Sequence, residues 1–254
     1  MERFSYTKSE RQADAAKLVL KEDDLSEFKY KFFVSPVEYD MRGLEFKVNQ
    51  DIARFAYKLA AWKEPEVIDK PDYPPRTFEE KVFHLFIGNV TECLTYLYLK
   101  GMRLKVDYYD LVRDTNVFGG CDDYDLILHR GSEGRTISLK SNPTFYDDMM
   151  CRFNVTDMIL KGTPKSADNY YLQWQVFKNA YCRKFDTQDY KDLYSRIEGN
   201  MLDMRFVFIG GLVNWNKLRY EQLKDTYESN GYGITFKKQY DVPNFLMELY
   251  NSLK

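Results

Sequence analysis

Two short segments near the middle of the chain, residues 124–130 (YDLILHR) with an apolar run and residues 135–140 (RTISLK) with alternating apolar and polar residues, are separated only by Gly131-Ser132-Glu133-Gly134. Alternation at period two belongs to β-strands, and so short a glycine-bounded spacer joins neighbouring strands antiparallel. A hairpin is therefore expected here, and the rest of the fold has to be built around the sheet it starts. Asn142-Pro143 is expected to end the second strand, because proline cannot donate to a central ladder.

Upstream, residues 103–109 (RLKVDYY) read as a further strand. Before it, Thr77 and Glu80 form a Thr-x-x-Glu capping box, which satisfies two orphan N–H groups at a helix start. That helix is expected to run to about Lys100 and to stop at Gly101 as its C′ residue. Residues 64–77 hold four of the chain's eight prolines and read as an extended linker. Ile52, Phe55, Ala56, Leu59 and Trp62 recur at helical spacing, and residues 8–21 read as an amphipathic helix. The expected organisation is an N-terminal helical unit (1–64), a proline-rich linker (65–77) and a core (78–254). Downstream, residues 169–177 and 205–210 read as strands, and residues 216–229 and 243–253 as helices. The order of elements indicates α/β or α+β with one central sheet.

Composition narrows the function classes. With a net charge of −2 the chain has no global basic field, so any contact with nucleic acid has to be local. Most of the 21 Tyr and 18 Phe are expected in the core. The four cysteines (Cys93, Cys121, Cys151, Cys182) are widely spaced with no CxxC pair, which argues for reduced thiols and against structural zinc. No signal-peptide pattern opens the chain and no segment approaches twenty apolar residues, so a cytoplasmic protein without a membrane partner is expected. His84 and His129 are the two histidines and form no HExxH or HNH-like set. P-loop, GxGxxG and GxSxG motifs are absent.

The chemistry-bearing residues gather at the hairpin. Period-two geometry places Asp123 and Asp125 on one face of the first strand, and Ser138 and Lys140 on one face of the second. Strand pairing can then bring Asp125 and Lys140 side by side at the strand ends. A carboxylate and an ammonium at that position fit metal-assisted phosphodiester hydrolysis: the acid holds Mg²⁺ against a phosphate oxygen and the lysine orients or deprotonates the attacking water.

The run from the capped helix (Glu92 in IGNVTECLTYLYLKG) through DDYDLIL to ISLKSN resembles the PD-(D/E)xK nuclease superfamily, which includes type II restriction endonucleases and Holliday-junction resolvases. The resemblance covers residues 78–142 and frames the interval D-x12-S-x-K. It implies a restriction endonuclease-like core with a central mixed sheet flanked by helices. It also implies that Asp125 is the metal-binding aspartate, Lys140 the catalytic lysine and Glu92 the auxiliary helix acid; Asp123, on the same strand face as Asp125, is a further candidate metal ligand. Mg²⁺ is the implied cofactor and Mn²⁺ its substitute.

Ser138 is the departure, since the family usually has Glu or Asp there. Some restriction enzymes carry an SxK strand and draw the missing acid from a neighbouring helix. Glu92, Asp147 and Asp148 are the candidates here. Glu92 lies away from the main apolar stripe of its helix (Phe83, Val90, Leu94, Leu97), but that helix is apolar on most sides, which favours a buried, functional carboxylate.

Asn142 and Arg152 are candidate substrate contacts, with Lys161 and Lys165 completing the nearest basic cluster. Gln173-Trp174-Gln175 is similar to the glutamine motif of RecB-like nucleases, though Phe177 stands where that motif has Tyr. The expected activity is Mg²⁺-dependent endodeoxyribonuclease, of restriction or phage-defence type, acting on DNA, with RNA as the open alternative polyanion. The family resemblance further implies a homodimer. The alternative is an inactive nuclease-fold protein that binds nucleic acid or a protein partner.

Overall fold

A computed structural model describes residues 4–34, 37–67, 69, 74–113, 124–144, 158–161, 168–177, 190–201, 204–213, 231–234 and 239–253. The elements in chain order are α1 (Lys8–Ala15), β1 (Leu25–Val34), β2 (Val37–Phe46), α2 (Gln50–Lys63), α3 (Phe78–Gly101), β3 (Val106–Tyr108), α4 (Tyr109–Val112), β4 (Leu126–Arg130), β5 (Glu133–Thr144), β6 (Met158–Lys161), β7 (Asp168–Phe177), α5 (Tyr190–Met201), β8 (Arg205–Val213), β9 (Gly231–Ile234) and α6 (Val242–Leu253). The fold is α+β, with six helices and a seven-stranded mixed sheet among the described residues.

The strand order is β1-β2-β8-β7-β5-β4-β3, with β6 and β9 paired separately. The expected hairpin is present as β4 and β5, which pair antiparallel from Leu126↔Ile137 to Arg130↔Glu133 around a two-residue turn. Gly131 takes φ 59 in that turn, where a side chain would be strained. β5 then pairs parallel with β7, which makes the sheet mixed.

β5 continues through Asn142-Pro143 to Thr144, past the expected stop. The reason is local. β4 accompanies β5 only as far as Ile137, and strand alternation turns the backbone position of Pro143 to the same side as Leu139, away from β7. The donor that proline lacks is thus not one the β5–β7 ladder uses.

The first 64 residues are not purely helical. They contribute α1, α2 and also the β1–β2 hairpin, whose second strand pairs with β8 over Leu44↔Phe208 to Phe46↔Phe206. α1 ends at Ala15, short of the expected residue 21. In the proline-rich stretch, Pro65 sits in a 3₁₀ turn (Glu64–Glu66), and Asp69 pairs with Arg76 at 2.7 Å and Lys81 at 3.3 Å. The helix expected over 216–229 lies outside the described residues.

α3 starts at Thr77 with the expected capping box, but its end differs. Gly101 is the last helical residue, and Arg103 takes the left-handed conformation at φ 63. Leu104 N–H donates to Leu99 O at 3.1 Å and Arg103 N–H to Lys100 O at 2.9 Å, the paired bonds of a Schellman stop. The left-handed C′ position therefore falls two residues later than glycine placement suggests. Its 24 residues include a window of mean hydropathy 1.2, long and apolar enough to cross a membrane by composition alone. Here that window is 67% buried inside the fold.

The core lies between the sheet and α3. Leu126, Leu128, Ile137, Leu139 and Trp174 meet Phe86, Val90 and Leu94, all buried. Trp174 donates from Nε1 to Thr95 Oγ1 at 3.0 Å and stacks on Phe208, which meets Phe245 of α6 edge-on. Gln173 and Gln175, on the opposite face of β7, are also buried. They sit in a strand and turn inward, with Gln173 accepting from Gln239 Nε2 at 2.6 Å.

Candidate functional site

The candidate site forms where β4 begins. Asp125 lies one residue before the strand, and its N–H donates to Ile137 O at 3.0 Å even though the register partner of Ile137 is Leu126. Alternation thus breaks at Asp125, and its face cannot be read by counting in twos. Asp125 Oδ2 accepts the Leu139 N–H at 2.5 Å. β4 has ended at that point on the sheet, so a carboxylate supplies the acceptor that a strand would otherwise give. Asp125 is thereby fixed one residue before Lys140.

Ile137 and Leu139 belong to the core facing α3, so strand alternation turns Ser138 and Lys140 to the other face. Ser138 is buried and Lys140 half-buried. Asp125 and Lys140 thus come from adjacent positions at the end of the β4–β5 pair, whereas Ser138 and Lys140 both leave β5 on the face opposite Glu92. Asp123, Asp147, Asp148, Arg152 and Lys165 lie outside the described residues. Asn142 and Lys161 are placed only as backbone, in β5 and β6.

Glu92 projects from α3 into a polar cluster. Its Oε2 accepts from Tyr108 Oη at 2.8 Å and lies 4.0 Å from Lys63 Nζ. Burial, helped by the negative charges of Asp125 and Asp110, raises its carboxyl to about 8, while Lys63 and the Tyr108 hydrogen bond pull the other way. Glu92 is therefore the inward-facing carboxylate that the apolar helix suggested, with the Asp125 charge acting on it.

Two members of the cluster escape a reading by motif. Asp110, 1% exposed, meets Lys63 Nζ at 2.5 Å and Arg113 Nη1 at 3.4 Å. Lys63 also donates to Asn89 Oδ1 at 3.2 Å. A signal for Lys63 was present in the sequence: it lies four residues after Leu59 and seven after Ala56, on the apolar stripe of its helix, where a lysine needs a buried partner. Asp110 gave no such sign, because VDYYDLV reads as the end of a strand. The backbone around Asp110 is clamped by Arg11, which donates to Asp110 O, Tyr6 O and Arg113 O at 2.6, 2.5 and 2.6 Å and lies over the Trp62 ring.

Other sequence features are structural in their surroundings. His129 pairs with Asp107 at 2.7 Å near the edge strand β3. Cys93 is buried and its thiol is shifted upward by that burial. Cys121, Cys151 and Cys182 lie outside the described residues.

Mg²⁺ is commonly held by one or two carboxylates, the other positions going to water and substrate phosphate. Glu92 and Asp125 offer two carboxylates within each other's field, and no group of three His, Cys, Asp or Glu able to hold a metal occurs among the described residues. The described residues therefore offer a divalent ion at most two carboxylates here.

No protein family, curated protein or solved structure matches this chain.

Proposed function

We propose that this chain is a Mg²⁺-dependent nuclease with a restriction endonuclease-like core, hydrolysing phosphodiester bonds in DNA. The observation that carries the reading is the attachment of Asp125 to the Leu139 N–H, which sets a carboxylate beside the strand position of Lys140. The mixed sheet, the preceding helix α3 and the inward-facing Glu92 agree with the core and helix acid that the resemblance implies.

In this reading Asp125 and Glu92 would hold the ion, which when bound would stabilise charge on the scissile phosphate. Lys140, which leaves β5 on the face away from α3, would reach round the strand end to orient or deprotonate the attacking water, and Asn142 and Arg152 are the candidate substrate contacts. The raised Glu92 carboxyl also favours the reading. A buried acid that resists ionisation on its own gains most from a cation beside it.

A second reading, an inactive nuclease-fold protein that binds nucleic acid, is favoured by Ser138 standing where the family has an acid and by the lack of a third acid among the described residues. Cleavage of plasmid DNA with Mg²⁺ or Mn²⁺, its loss with EDTA, and gel-shift binding without cleavage distinguish the two.

A further inference from the structure

The N-terminal helix α2 sends one charged group toward the candidate site. An ammonium has three N–H donors and no acceptor. Oxygens close to Lys63 Nζ include Asp110 Oδ2 at 2.5 Å, Asn89 Oδ1 at 3.2 Å and Glu92 Oε2 at 4.0 Å. The Asn89 contact is a hydrogen bond, and those to Asp110 and Glu92 are ion contacts. Asn89 and Glu92 are one helical turn apart on α3, and Asn89 Nδ2 donates back to Ala56 O of α2 at 3.1 Å. Lys63 is thus held by Asp110 and Asn89 and also lies against the Glu92 carboxyl. Tyr108 holds the same Glu92 oxygen from the sheet.

We propose that Lys63 is a positioning residue of the nuclease site: from α2 it fixes the carboxyl of Glu92 for its work beside Asp125. The N-terminal region then completes the site as well as extending the sheet. A structural ion pair alone would need Lys63 and Asp110. It would not need a site acid as the third neighbour, nor the Asn89 bridge that aligns Lys63 with the Glu92 turn of α3. The inference rests on the proposed nuclease function, because Glu92 has work to do only there.

The test uses the full chain and two variants. Lys63→Met leaves Asp110 without its closest cation, and breaking a buried pair from one side is the more damaging change. Lys63→Met/Asp110→Asn removes both charges, a replacement that buried pairs often tolerate. Thermal melting, Mn²⁺ binding by electron paramagnetic resonance, and kcat and KM on plasmid DNA are measured for each. The double variant is expected to melt cooperatively, keep KM within about twofold, and lose about ten- to a hundredfold in kcat and in Mn²⁺ affinity, as for other groups that orient a metal-binding side chain.

Wild-type kcat and Mn²⁺ affinity in a folded double variant would overturn the proposal, as would a double variant that cannot fold, since Lys63 would then serve the fold alone. If wild-type protein neither cuts DNA nor binds Mn²⁺, the nuclease reading itself fails, and this inference with it.

Discussion

Asp125 Oδ2 accepts the Leu139 N–H at 2.5 Å, so one side chain both finishes the β4–β5 ladder and stands at the candidate site. The two roles separate by substitution. Asp125→Asn keeps an oxygen acceptor and should retain the wild-type fold while losing Mg²⁺-dependent cleavage. Asp125→Ala leaves the Leu139 N–H without its partner and should also lose about 1–3 kcal/mol of stability. Urea denaturation beside a cleavage assay checks the split; equal stability of the two variants would show that the bond does not support the strand.

Glu92 predicts the pH dependence of stability. Its folded carboxyl, raised mainly by burial to about 8 from the usual 4.5, binds its proton more tightly in the folded than in the unfolded chain. Its contribution is therefore fully present below the unfolded value and is lost as pH rises through the folded one. Glu92→Gln should flatten the fall in stability between about pH 4.5 and 8, measured by denaturant titration in EDTA. A fall of wild-type size in the variant would assign that pH dependence to another group.

The β4–β5 hairpin was legible in the sequence because the apolar run of YDLILHR, the alternation of RTISLK and the glycine turn between them are local signals. The capping box at Thr77 was equally local. The β1–β2 hairpin was missed because its residues mix charges with apolar side chains and its pairing with β8 spans most of the chain. The motif drew attention to Asp125, but period-two counting could not give its face, because the irregularity opposite Ile137 breaks the alternation. Asp110 and Lys63 depend on a contact between α2 and α4, and neither segment's pattern specifies the other.

Ser138 belongs to the face of β5 away from α3 and is buried. A carboxylate there is removed from Glu92 and desolvated. Ser138→Glu is therefore expected to lower the melting temperature, at a cost of about 1–3 kcal/mol, without raising Mg²⁺-dependent cleavage. A large gain in rate would mean that position 138 does face the metal.

Arg103 holds φ 63 at the end of α3, a conformation that costs an L-residue about 1–2 kcal/mol. Arg103→Gly should raise stability by roughly 1 kcal/mol, whereas Thr77→Ala at the other end should cost about 1 kcal/mol. Chemical denaturation of the two variants checks both signs.

Lys140 tests the central claim most directly. Purified protein is incubated with supercoiled plasmid and Mg²⁺, with EDTA as the control, and compared with Lys140→Ala at matched folding by circular dichroism. The account predicts cleavage that EDTA stops and that Lys140→Ala lowers by roughly a hundredfold or more. Metal-dependent cleavage at the wild-type rate in Lys140→Ala would contradict it.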